Sequence, residues 1–513
     1  MAFLGTIVKT LLEAKHELLP QEPGNPASAQ TDQLVTLLQT ARDTAFGKHF
    51  DFQGMLDSGM PYTLFAQRVP IYDYHRMHAD WWKRQQTEEN ITWPGMPPYF
   101  ALSSGTTGKK SKRIPVTEDM LSSIQSVGRS QAECLANFDL PADLFEKDVL
   151  MLSSSAELAE KDGHLEGEIS GINVSNMPEF FQGYYKPGIE IAKIPDWEDR
   201  VNAIAEAAPE WDVAAIAGIP SWVQMMLRRV MERHKLKTIH EIWPNLAVYT
   251  TGGVAFAPYA ESFNAILERP IIVMDTYLAS EGFFAFTARP GTMSMQLALD
   301  HGIFYEFIPF DGRGFTPEGE LLENPQTLPF ALVEKDQDYA LVISSPAGSW
   351  RYMIGDTVRF TDLEKMELVI SGRTKYFLNV VGSQLSEEKL NAAIGELNEE
   401  YSDTGLTVKE FGVAAIRRDE DQEYVHQWVL GTEGDTSVDE GKVAEFLDAN
   451  LRGANKNYNV ARTKALKEIR VKTVPADRLY AWLETTKKKG GQIKMPKVMG
   501  EEKMRELLGF LEG

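Results

Sequence analysis

Cysteine is nearly absent from this sequence: Cys134 is the only one among 513 residues. An internal disulfide and a cysteine-cluster metal site are excluded, and the chain suits a reducing compartment. Cys134 itself reads as a small buried apolar residue. Long apolar runs are missing too. The apolar parts of residues 1–12 and 214–230 are short or broken by charge, so no membrane span is expected. Lys9, Glu13, Lys15 and Glu17 continue the first apolar residues in amphipathic spacing, which reads as a cytoplasmic start rather than a signal peptide.

Positive charge is also scarce, with 52 Lys and Arg against 74 Asp and Glu, a net charge of -22. Such a surface repels nucleic-acid phosphates and anionic membranes, so neither is an expected partner. There is no His-Glu-x-x-His, and Asp419-Glu-Asp-Gln-Glu423 lacks the glycine of a calcium loop, which argues against a metalloenzyme.

The remainder is the composition of a folded globular protein, 43% hydrophobic and 25% charged. The length exceeds the ~250–300 residues at which a single core stops growing, so two or more domains are expected. Helical spacing over residues 3–46, with a connector at 20–29, reads as an N-terminal helical cover. Short β-branched runs then alternate with helical stretches from Val149 to Met274, the rhythm of a parallel α/β sheet. From about 283 to 380 consecutive strand-like pieces predict an antiparallel, barrel-like part. Residues 386–513 read as a compact α+β unit, with Ser386 as N-cap of a helix at 387–401.

Within this frame one stretch concentrates phosphate chemistry. Tyr99-Phe-Ala-Leu breaks into Ser103-Ser-Gly-Thr-Thr-Gly-Lys-Lys-Ser-Lys-Arg113. Ser103, Ser104, Thr106 and Thr107 offer hydroxyl donors, Gly105 and Gly108 let backbone N–H groups turn inward, and Lys109, Lys110, Lys112 and Arg113 add charge. It is not a Walker A loop, because Lys110 stands where the second glycine is required. Thr117 and Asp119 offer a helix start at 120–138, so the loop is expected to lead from a strand towards a helix whose N-terminus favours an anion.

Four more stretches suit a nucleotide. Thr250-Thr-Gly-Gly-Val254 supplies Gly252 and Gly253, where a flat ring can approach the backbone. Asp275-Thr-Tyr-Leu-Ala-Ser-Glu-Gly282 sets an aromatic, a hydroxyl and a carboxylate in a loop near a strand end. Trp350-Arg-Tyr-Met-Ile-Gly-Asp356, with Gly372-Arg373 beyond it, suits a ribose diol. Gly490-Gly-Gln-Ile-Lys494 carries a lysine on a glycine-flanked loop. Singly, each fits an ordinary turn.

In this order the set resembles the adenylate-forming enzymes: acyl-CoA synthetases, luciferases and adenylation domains. The double serine of the loop, Trp350-Arg351 before Tyr352–Asp356, and Gln492-Ile-Lys-Met-Pro-Lys497 look like the auxin-responsive-promoter family of acyl acid amido synthetases. The resemblance runs over roughly residues 31–496. It implies a large N-terminal α/β domain with a β-barrel-like subdomain, residues 1–384, and a smaller mobile α+β lid, residues 385–513. It implies ATP with Mg2+, activation of a carboxylic acid as its acyl-adenylate, and transfer to an amine such as an amino acid.

Carried over, Ser104, Thr106, Thr107 and Lys109 would hold phosphate, with Ser103 and Gly105 in the same loop. Gly253 and Tyr277, beside Gly252, would flank adenine. Ser280 would meet the α-phosphate, Glu281 the magnesium ion, Asp356 the ribose and Arg373 ribose or phosphate. Lys494 would bridge the acyl carboxylate and the reacting phosphate. The proline that usually stands between the loop lysines is absent. A coenzyme A ligase shares every motif and differs in its acceptor pocket. A non-catalytic nucleotide-binding protein is the rival of another class; Glu281, Asp356 and Lys494 together argue against it, since binding alone needs no late lysine. Phe180-Phe181, Tyr184-Tyr185 and the 222–226 stretch fit an acyl pocket and core packing equally, and His164 fits the lining of that pocket but reads rather as part of a surface turn. A monomer or weak homodimer is expected.

Overall fold

The computed structural model describes residues 25–103, 112–253, 259–316, 320–374, 387–418, 424–433, 438–454, 466–485 and 495–512, with a few single positions between them. The loop expected at 104–111, residues 375–384, Ser386, the acidic run 419–423 and Lys494 lie outside the described residues.

The N-terminal cover begins with the helix Pro26–Ala41, which buries Leu34, Leu37, Leu38 and Ala41. It starts inside the stretch expected to be a connector. Pro26 opens the helix, where its missing N–H costs nothing, and the Asn25 side chain accepts from the Ala27 amide at 3.1 Å. Buried Gln30 ties this helix to the sheet, donating to the Leu299 and Ile303 carbonyls and accepting from the Tyr305 amide.

Among the described residues twelve strands form the main sheet. One half is parallel: Val248–Gly252 lies between Val213–Ala217 and Ile272–Ala279, and Asp148–Met151 continues the sheet beyond Val213–Ala217. The other half is antiparallel, running from Gly282–Phe286 through Met295–Leu297, Glu367–Arg373, Ser349–Asp362 and Asp338–Ser345 to Phe304–Pro309. The antiparallel part is thus continuous with the parallel part. The hairpin Ile272–Ala279/Gly282–Phe286 is the seam, and ligands of open α/β sheets bind at the carboxyl ends of such parallel strands.

The loop after Ser103 does not enter a helix directly. Lys112–Val116 returns antiparallel to Tyr99–Ser103, with Ser103 opposite Lys112, and the helix Glu118–Glu133 follows with Thr117 as its cap. Pro115 and the β-branched Ile114 and Val116 favour this extended return over helix. Residues 134–137 leave the α-helix as a single tighter turn.

The C-terminal unit has a three-stranded sheet, Thr407–Arg417, Tyr424–Glu433 and Leu466–Pro475. Alternation serves both faces. Val413, Trp428 and Leu430 pack under the helices Glu387–Glu400 and Glu440–Ala454, while Ala414, Ile416 and Val429 pack under Ala476–Thr485 and Glu501–Glu512. Among the described residues no helix is long and apolar enough to cross a membrane.

Candidate active site

The seam brings together carboxylates that are far apart in sequence. Gly252 lies opposite Thr276 in the parallel pairing, and the Thr276 hydroxyl donates to the Thr251 carbonyl at 2.8 Å. A Cβ at Gly252 would stand 2.5 Å from the Thr276 hydroxyl oxygen, and Gly253 has φ +80°, so the two glycines are what this close turn requires.

Asp356 and Arg373 face each other across their antiparallel strands, and the guanidinium Nε sits 2.9 Å from Oδ1. Oδ2 accepts from the Tyr277 hydroxyl at 2.8 Å. Burial first, then the Asp356 charge, pushes the Tyr277 hydroxyl far above its ordinary range, so it stays a donor. Its ring meets Phe284 edge-on at 4.9 Å. Ser280 and Glu281 occupy the turn between the paired Ala279 and Gly282.

Glu281 is 5% exposed, and its carboxylate accepts from the Tyr352 hydroxyl at 3.4 Å. Burial raises its pKa; Lys112 opposes this, the Asp356 charge adds to it and Arg373 opposes it. Lys112, on the far flank of the loop, lies with its ammonium 5.4 Å from the Tyr74 ring centre. The next amide, of Arg113, donates to the Tyr74 hydroxyl at 3.0 Å. Arg113 itself is occupied elsewhere, paired with Glu166 and bonded to Gln86 Oε1 at 2.7 Å.

Of the residues expected in the site, Gly252, Gly253, Tyr277, Ser280, Glu281, Asp356 and Arg373 lie along this seam, and Ser103 ends the strand that leads to the loop. Ser104, Gly105, Thr106, Thr107, Lys109 and Lys494 lie outside the described residues. Sequence reasoning gave no role to Tyr352, Tyr74 or the particular position of Lys112. The signal for Lys112 was alternation, which puts it on one face of its strand with buried Ile114 and Val116 and leaves Arg113 on the other.

His164 departs from its expected surface turn: the turn is Asp162-Gly163, and His164 opens the strand His164–Gly167, buried with its ring 4.8 Å from Phe100. Burial and Arg113 hold its pKa below the usual range. Trp222 packs edge-on to Trp197 at 3.9 Å, and Met226 belongs to the core beneath, so the 222–226 stretch serves packing at those positions.

Asp275, opposite Thr251 on the parallel pair, is pushed by burial up to about 7 from 3.8, against one hydrogen bond from the Thr276 amide. The folded chain therefore keeps a proton that the unfolded chain has released between 3.8 and about 7, and stability falls as pH rises through that window. Asp275→Asn keeps an acceptor for the amide and removes the titration. Its melting temperature should gain on the wild type from roughly pH 4 to pH 7. A constant difference across that range contradicts the assignment.

Among the described residues no group of three or more His, Cys, Asp or Glu side chains is arranged to hold a metal ion. A lone buried carboxylate such as Glu281 fits a magnesium ion that takes its other ligands from substrate phosphates and water.

The fold is that of the adenylate-forming enzymes. The chain superposes on an acyl acid amido synthetase solved in complex with 2,4-DB with a TM-score of 0.76 at 17% identity, covering 98% of this chain and 96% of that one. On a 2-hydroxyisobutyryl-CoA ligase in its postadenylation state the TM-score is 0.56 at 13% identity, covering 94% and 92%. The chain belongs to the GH3 family: the family's N-terminal, central and C-terminal domains match residues 19–205, 296–370 and 388–503.

Its relatives include the indole-3-acetic acid-amido synthetase GH3.4 of Arabidopsis thaliana, 21% identical over 474 residues, 79% of this chain and 77% of that protein. The match to the indole-3-acetic acid-amido synthetase GH3.2 of the same plant is 26% identical and spans 37% of this chain and only 36% of that protein. The jasmonoyl–L-amino acid synthetase GH3.5 of Oryza sativa subsp. japonica is 26% identical over 42% of this chain and 40% of that protein.

Proposed function

We propose that this chain is an ATP-dependent ligase that activates a carboxylic acid as its acyl-adenylate and transfers the acyl group to an amine, an amino acid. The observation that carries the reading is the pair of buried carboxylates at the seam: Asp356, oriented by Tyr277 and Arg373, and Glu281, faced by Tyr352 and Lys112. Asp356 would accept from the ribose diol. Glu281 would hold the magnesium ion, which when bound neutralises phosphate charge. Gly252 and Gly253 leave room for the flat base, with Tyr277 beside it. Ser280 and the Ser103–Lys109 loop would donate to phosphate oxygens.

In the first step the acid's carboxylate oxygen attacks the α-phosphorus, and the bond to pyrophosphate breaks. In the second the amine nitrogen attacks the acyl carbon, the bond to AMP breaks, and the amine loses a proton. Anion approaches anion in the first step, so fixed positive charge and oriented donors must be in place before reaction. Residues 1–384 would supply the nucleotide and acid sites and 385–513 the lid carrying Lys494, in a cytoplasmic protein. Chelation of divalent cations is expected to abolish acid-dependent ATP–pyrophosphate exchange, and added magnesium to restore it. Exchange that persists in chelator contradicts the role given to Glu281.

A further inference from the structure

Glu410 is a buried carboxylate that the proposed chemistry leaves unused. It lies at a register shift in the strand Thr407–Arg417 and is only 4% exposed. Three donors meet there. Lys497 reaches it with its ammonium, which also rests 4.5 Å from the Phe411 ring centre. The Phe411 amide donates at 3.3 Å. The third donor comes from the N-terminal body: the Tyr259 hydroxyl, 3.4 Å from Oε2.

Tyr259 is a fixed point. It packs in the core of the parallel half of the sheet and caps the helix Ala260–Asn264, just beyond the Gly252-Gly253 turn. Burial and the Glu410 charge raise its pKa far above the ordinary range, so it remains a donor. Lys497 belongs to a strap that is equally well seated. The Val413 amide donates to the Lys497 carbonyl and the Met499 amide to the Val413 carbonyl, both at 2.8 Å, so residues 495–500 add a short edge to the strand. A Cβ at Gly412 would stand 2.2 Å from the Met499 methyl and 3.1 Å from the Met495 methyl, which is how closely the strap lies on the sheet.

We propose that Glu410 is a positioning residue: by accepting from Tyr259 on one side and Lys497 on the other, it fixes the 495–500 strap, which follows Lys494 in the sequence, against the N-terminal body. A buried, charge-assisted contact of this kind transmits position. An ion pair between the two units, Arg228 to Glu433 at 3.1 Å, is half-exposed and contributes little. The catalytic consequence rests on the adenylation reading; the placement of the strap does not.

The test compares Tyr259→Phe, Glu410→Gln and their double variant with Arg228→Ala as control. It reads amide hydrogen exchange in residues 495–500, the kcat and ATP KM of pyrophosphate exchange, and melting temperature. Tyr259→Phe and Glu410→Gln should each raise hydrogen exchange in the strap and lower kcat by roughly tenfold, with ATP KM within about twofold. The double variant should be no worse than the more damaging single one, because both remove the same link. Arg228→Ala should move neither readout. Unchanged strap protection in both variants overturns the proposal, as does a kcat loss matched by an ATP KM rise and a fallen melting temperature. A loosened strap in a protein whose wild type exchanges pyrophosphate with no acid supports the anchor and removes the adenylation reading.

Discussion

Lys494→Ala is expected to lower acid-dependent pyrophosphate exchange about 100- to 1000-fold, equivalent to roughly 3–4 kcal/mol of transition-state stabilisation, without moving the melting temperature. The seam supplies two buried carboxylates and the Arg373 guanidinium, and the Lys112 charge acts on Glu281. In the proposed reading that set would hold ribose and metal. A further cation is needed where the acid's carboxylate meets the α-phosphate, because both carry negative charge as they close. In the proposed reading Lys494, on a glycine-flanked stretch of the sequence, would be that cation. Lys494→Arg, which keeps charge but not shape, should recover only part of the rate. Exchange within a few-fold of wild type in Lys494→Ala removes the residue from the chemistry.

Glu306→Ala is expected to destabilise the fold by about 3–5 kcal/mol, because it leaves a buried guanidinium unpaired. Arg351 has each of its N–H groups satisfied. Nε and Nη2 donate to the two Glu306 oxygens at 2.8 and 2.9 Å, Nη1 to the Ala66 and Val69 carbonyls at 2.7 Å, and Nη2 also to Thr327 at 2.9 Å. The network joins the N-terminal cover to the sheet. It also holds Arg351 at φ +42°, a left-handed backbone within a strand, next to the Tyr352 that faces Glu281. Replacing both partners, Glu306→Leu with Arg351→Met, should recover much of the loss, since no buried charge then remains. Urea unfolding midpoints at constant slope measure both. Equal losses in the single and paired variants contradict the account.

What could be read in the sequence was local. The helix Ala476–Thr485 follows from periodicity and stands where that pattern puts it, whereas the strand read at 271–274 runs on as Ile272–Ala279, through Tyr277 and the start of the stretch expected to be a loop. The motifs of the candidate site stand out because they are short and ordered along the chain, and those from Gly252 to Arg373 lie along one seam. What escaped depended on contacts between distant residues or on backbone shape. The return strand Lys112–Val116 hid behind a loop that seemed to lead to a helix. The continuity of the parallel and antiparallel halves is set at a single hairpin, which composition does not mark. The Tyr259–Glu410 contact joins residues 151 positions apart, and neither belongs to a recognisable motif. Arg351 sits at a positive φ that its residue type gives no reason to expect, because the network around it supplies the compensation.

The central claim is that the seam activates an acid and that the acyl group passes to an amino acid. The most direct measurement incubates the purified protein with ATP, magnesium and a panel of aryl, indolyl and fatty acids, each crossed with amino acids and with coenzyme A, and reads pyrophosphate, AMP and product mass. The account predicts pyrophosphate release that depends on one class of acid, and a product with the mass of that acid plus an amino acid less water. Pyrophosphate release with no acid in the panel, or a thioester as the sole product, would contradict it.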